Sequence, residues 1–128
     1  MIEGLTTGHE PAFDFARRAG PPTTPYLLAT TPRSGSSWFG HLLWETGCFG
    51  APLEYLNFVP GGPLGDLRDD REAQRRHWEA VVATRTSPNG VFGLKAFPLQ
   101  FEDLGGLNSH LLDAVMRFLL ARGPEARI

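Results

Sequence analysis

The segment TTPRSGSSW, Thr30 to Trp38, carries the sharpest chemical signal in the chain. An apolar strand-like run enters it and a helical segment leaves it. A helix N-terminus after such a turn exposes unpaired backbone N–H groups and the positive end of the helix dipole, which together hold anions. Gly35 lets the backbone approach an anion closely. Ser34, Ser36 and Ser37 add hydroxyl donors, and Arg33 adds a fixed cation with a planar donor fork. These are the parts of a site for a phosphate-like group. The segment is not a Walker A loop, because the G-x-x-x-x-G-K-[ST] spacing and its lysine are missing, and it is not a G-x-G-x-x-G dinucleotide turn. A plain strand-to-helix turn with a serine cap is the simpler alternative.

The cationic residues are eleven Arg and a single Lys, Lys95, in the run VFGLKAF. It is either a strand-edge or snorkelling lysine or a functional one. Glu54, between Leu53 and Tyr55, reads in isolation as a solvated surface residue. The histidines at 9, 41, 77 and 110 lack ligand spacing such as i, i+4, so no metal site is expected. His41 reads as structural or surface, and His77, beside Arg75 and Arg76, as part of a solvated face. Cys48 is the sole cysteine, which excludes an internal disulfide and a Cys-rich metal site. Inert packing is its expected role. Trp38, Trp44 and Trp78 read as core, with Trp38 also close enough to the loop to border a ligand.

These residues need elements to position them. Residues 1–25 have no periodicity and carry four prolines, which reads as an irregular arm. Tyr26 to Thr31 reads as a strand buried on both faces, as in a parallel sheet. Ser36 or Ser37 is expected to cap a helix that stops at Gly47. Cys48 to Gly65 is irregular. Asp66 to Arg85 reads as a helix with acidic early turns, an apolar stripe and a charged surface in RDDREAQRR. Ser87 to Gly90 is a turn, and Val91 to Phe97 a second strand. A third helix is expected over about Asn108 to Arg122, ended by Gly123 and Pro124. EARI resembles the start of another strand.

Alternation of strands and helices implies an α/β fold with a parallel sheet flanked by helices. Two full strands make a poor free-standing core, so the N-terminal portion of something larger is expected. The 128 residues correspond to one domain. Apolar content of 41% and charged content of 20% are globular values. A net charge of −2 supplies no bulk field for nucleic acid. No apolar run approaches the roughly 20 residues of a membrane helix. The N-terminus lacks the basic and apolar regions of a secretory signal. A soluble, cytoplasmic protein is the default.

RSGSSWFGHLLWETG followed by GAPLEYLNF resembles the phosphosulfate-binding segment of bacterial sulfotransferases of the trehalose 2-sulfotransferase type. SPNGVFGLKAF is similar to a second segment of that family. The resemblance covers roughly Tyr26 to Phe97. It implies a P-loop-like sulfotransferase fold, with residues 26–128 a partial domain. It implies PAPS (3′-phosphoadenylyl sulfate) as sulfuryl donor, without a metal, and a small hydroxyl acceptor, carbohydrates included. Arg33, Ser34, Gly35, Ser36 and Ser37 match the loop that cradles the 5′-phosphosulfate. Glu54 matches the acidic residue implicated as base, and Lys95 matches the lysine of the second strand, with contact to the transferring group as its implied role. Tyr55, Phe58 and Phe49 would form an acceptor-site wall. The family's 3′-phosphate site would begin near Ile128. A homodimer is among the assemblies admitted. Two other readings stay open. One is a truncated, non-catalytic nucleotide- or anion-binding remnant. The other is an interaction fragment whose sheet edge needs a partner chain. A P-loop kinase is disfavoured by the missing lysine.

Overall fold

The computed structural model describes residues 7–31 and 34–120. It is α/β. The elements run β1 (Thr24–Ala29), α1 (Ser36–Glu45), α2 (Arg71–Thr84), β2 (Val91–Ala96), α3 (Pro98–Leu107) and α4 (Ser109–Leu120), with 3-10 turns at Pro11–Phe13 and Gly65–Leu67. The two strands pair in parallel, from Thr24 opposite Val91 to Ala29 opposite Ala96. A parallel pair requires a long crossover, and α1 and α2 lie on it.

The strands differ in burial, and pairing explains why. β2 has β1 on one side and, on the other, a parallel bridge from Leu53 to Leu94. Phe92 through Ala96 are all buried. β1 has one strand neighbour among the described residues, and its exposure alternates along the strand. The expectation that the first strand is buried on both faces therefore fails. The strand also starts two residues early, taking in Pro25, which suits an edge because proline offers no N–H to a second neighbour.

The core forms around Phe92. Its ring meets Trp78 edge-on at 5.7 Å and Phe118 at 5.6 Å, and stacks on Tyr55 at 6.0 Å. Such pairs add about 0.5–1.5 kcal/mol each beyond burial. Trp44 and Trp78 are buried as expected, but Trp38 is 67% exposed on α1. Cys48 is exposed as well, which overturns an inert packing role.

α2 begins later than the acidic run suggests. Asp70 caps it, its Oδ1 accepting from the Ala73 N–H at 3.0 Å, so Asp66 falls in the preceding 3-10 turn. Gln74 departs from the charged surface around it. It is fully buried, donates to the carbonyls of Leu67 (2.7 Å) and Arg68 (3.1 Å), and accepts from Asn108 Nδ2 at 2.9 Å. Helix α3 has no counterpart in the sequence reading. Two glycines dilute its apolar pattern, but Pro98 opens it and the Gln100 Oε1 accepts from the Phe97 N–H at 3.2 Å. Asn108 then caps α4, its Oδ1 accepting from the Leu111 N–H. Gly123, Pro124 and the EARI strand lie outside the described residues. Among the described residues, no helix is long and apolar enough to cross a membrane.

The loop leaving α1 turns at Gly47 (φ +73°) and passes β2 at Gly50 (φ +65°). A Cβ at Gly50 would stand 2.9 Å from the Gly93 nitrogen and 3.0 Å from the Val91 oxygen, whereas one at Gly47 would meet open space. Gly50→Ala is expected to destabilise the fold by at least ~2 kcal/mol, from backbone strain plus overpacking. Gly47→Ala should cost only about 1–2 kcal/mol, from strain alone. Urea unfolding of the two variants checks this; equal losses would refute the close approach.

Candidate functional site

Helix α1 starts without a side-chain cap. Gly35 occupies the N-cap position with φ +80°, its carbonyl accepts from the Phe39 N–H at 3.1 Å, and a Cβ there would meet nothing within 4 Å. Ser36 and Ser37 lie inside the first turn, which corrects the expectation that one of them caps the helix. Ser34 is exposed, and Arg33 lies outside the described residues.

Lys95 is no strand-edge lysine. Its side chain is only 5% exposed on β2, and its Nζ donates to Ser37 Oγ at 3.1 Å and pairs with Glu54 Oε2 at 3.3 Å. The carboxylate is brought there by the backbone. The Lys95 N–H donates to the Leu53 carbonyl at 3.1 Å, so Glu54 follows directly on the bridge to β2. Glu54 is half-buried, and its second oxygen accepts from Gln100 Nε2 at 2.7 Å. Gln100 is itself fixed. Its amide oxygen is taken by the Phe97 N–H, so its amide nitrogen must face the carboxylate. No motif in the sequence pointed to Gln100. The available signal was a glutamine three residues into a proline-led helix, the position that reaches back to the cap.

Ser37, Glu54 and Lys95 together line a cleft of about 480 Å³. Thr7, His9, His41 and Asn57 complete its polar lining. His41, read as structural or surface, thus faces the cleft. The aromatic wall expected from Tyr55, Phe58 and Phe49 is not there. Tyr55 is fully buried, donates its hydroxyl to the Ala51 carbonyl, and has its phenol pushed up by burial. Phe58 is in the core, and Phe49 is exposed elsewhere. His77 is not on a solvated face. It is half-buried, a ring nitrogen lies 3.2 Å from the Tyr55 carbonyl oxygen, and burial holds its pKa below the ordinary histidine value. Among the described residues, no group of three or more His, Cys, Asp or Glu has an arrangement that would hold a metal ion.

The Lys95 ammonium donates to Ser37 in the first turn of α1 and pairs with the Glu54 carboxylate. Comparison with protein-family models, curated proteins and solved structures gave no match.

A buried ion pair is costly to break from one side, because the remaining charge loses its partner. Lys95 is more deeply buried than Glu54, and Glu54 keeps Gln100 if Lys95 is lost. Glu54→Gln is thus expected to destabilise by roughly 1–3 kcal/mol. Lys95→Met should cost less, and the double variant should cost less than the sum. Chemical denaturation of the cycle checks this; additive losses would mean that the pair is not coupled.

Proposed function

We propose that the chain is a sulfotransferase of P-loop-like α/β fold that moves a sulfuryl group from PAPS to a hydroxyl of a carbohydrate or related small acceptor. The observation that carries this reading is the meeting of Ser37, Glu54 and Lys95 around one ammonium. Ser37 and Lys95 are 58 positions apart in the chain. The three residues come from the loop, the acidic segment and the second strand that the family resemblance marks.

In this assignment Ser34, Gly35, Ser36, Ser37 and the first-turn amides of α1 hold the 5′-phosphosulfate, with Arg33 as a further cation. Glu54 takes the proton of the acceptor hydroxyl. The acceptor oxygen forms a bond to sulfur as the bond from sulfur to the 5′-phosphate oxygen breaks, and adenosine 3′,5′-bisphosphate leaves. Lys95 and the loop amides stabilise the charge that grows on that phosphate. Gln100 positions the Glu54 carboxylate and leaves Oε2 on the Lys95 side. No step is assigned to a metal.

The cradle is tested by calorimetry with adenosine 3′,5′-bisphosphate against adenosine 3′-monophosphate, which lacks the 5′-phosphate. The bisphosphate should bind at least about tenfold more tightly, the ratio expected of one charge-assisted phosphate contact. Ser37→Ala with Lys95→Met should remove that advantage. Equal affinity of the two nucleotides would refute the assignment.

A further inference from the structure

His9 belongs to two cavities. With Thr7 it lines the cleft that holds Glu54 and Lys95, and with Asp14, His77 and Arg85 it lines a chamber of about 220 Å³. One guanidinium fastens the arm here. Arg85 is 3% exposed; its Nη1 donates to the Gly8 carbonyl at 2.7 Å, its Nη2 to the Glu10 carbonyl at 3.0 Å, and its Nε to Asp14 Oδ1 at 2.9 Å. The two carbonyls it holds flank His9. The Phe15 N–H then donates to the Thr84 carbonyl at 2.8 Å. His9 stands edge-on to the Tyr55 ring at 5.6 Å, and a ring nitrogen of His77 lies 3.2 Å from the carbonyl oxygen of the same Tyr55. The chamber thus gathers one permanent cation and two half-buried imidazoles.

We propose that the segment Thr7–Phe15 is a pH-operated strap: it stays closed on Arg85 while His9 and His77 are neutral, and lets go when they take up protons beside that guanidinium. The carboxylates that could offset those protons are already engaged. Asp14 accepts from Arg85, Glu54 accepts from Gln100 and pairs with Lys95, and Glu10 Oε1 accepts from the Thr7 N–H at 2.9 Å. Glu10 Oε2 is buried without a hydrogen-bond partner, and Glu10 and Glu54 both attract a charge on His9. Burial, then Arg85, then His77 oppose that charge more strongly, and together they hold His9 below the ordinary histidine pKa. Burial does the same at His77, against the pull of the Tyr55 carbonyl. The Tyr55 phenol, pushed up by burial, stays uncharged, and His41 on α1 is the remaining titratable group of the cleft lining. Both imidazoles are therefore easier to protonate once the segment is released into water. Above the ordinary histidine value of about 6.5 closure is undiminished, and each step of pH below it favours release. Release takes Thr7 and His9 out of the cleft lining.

The test is hydrogen exchange at single amides of the full chain, read by NMR as protection factors from pH 7.5 to pH 5. This range stays above the ordinary carboxylate values of about 4. Two protons taken up on release allow a change of up to about 10²-fold per pH unit. Protection of the Phe15 N–H should fall at least about tenfold across the range. At pH 5 it should lie at least about tenfold below that of the β2 amides, because the strap opens while the sheet holds. The imidazole signals of His9 and His77 should titrate over the interval in which that protection is lost. His9→Gln with His77→Gln keeps neutral side chains of similar bulk and should cut the fall to less than about twofold. The proposal is overturned by constant Phe15 protection, by an equal fall in the double variant, by titration of the two imidazoles outside that interval, or by exchange of Phe15 and β2 at one common rate. It is overturned as well by protection that rises toward pH 5, the result expected if Glu10 Oε2 captures the charged His9.

Discussion

The candidate site depends on the burial of a single ammonium. Lys95 stands in the buried strand β2, where an uncompensated charge is strongly disfavoured. Its partners must therefore come to it. Ser37 arrives on the first turn of α1, and Glu54 arrives on the segment that bridges to Leu94. The ammonium thus fixes the loop end of α1 relative to the acidic segment. The position of Gln100 on α3 then follows, because the second oxygen of Glu54 needs a donor too. In the proposed sulfuryl transfer the group that demands burial partners is also the one assigned to stabilise the departing phosphate.

Arg85 plays the equivalent part for the N-terminal arm. Its three donors hold the carbonyls of Gly8 and Glu10 and the carboxylate of Asp14. Further along, the N–H groups of Phe15 and Arg18 donate to the carbonyls of Thr84 and Ala83 at the end of α2. Those carbonyls have no partner within their own helix, so the arm serves as a C-terminal cap as well as a wall. The irregular, proline-rich composition of the arm reflects its pairing with a helix end and one guanidinium instead of with a ladder.

What was legible in the sequence was local. Gly47 and Gly90 marked turns, the 3.6-residue spacing of Leu111, Val115 and Phe118 marked α4, and the strand–glycine–helix order around Gly35 placed the loop. What was hidden depended on partners far along the chain. Burial of Lys95 requires Glu54 and Ser37 nearby, and burial of Gln74 requires Asn108 and the Leu67 carbonyl. Tyr55 sits in a loop where an aromatic residue suggests a ligand wall, yet its hydroxyl finds the Ala51 carbonyl and its ring finds Phe92. Helix α3 escaped because its start is set by a proline and a reaching glutamine, while its two glycines blur the apolar face. Exposed β1 could not be foreseen from an apolar run, since the number of its neighbours is a property of topology.

Transfer of labelled sulfate from PAPS to a panel of mono- and disaccharides tests the site as a whole. The parent chain should label an acceptor, and Glu54→Gln should lower the rate by roughly 10²–10⁴-fold, the usual contribution of a positioned base, while donor binding persists. Transfer by Glu54→Gln at the parent rate, or donor that binds the parent and is never passed to any hydroxyl, would contradict the assignment of this cleft to sulfuryl transfer.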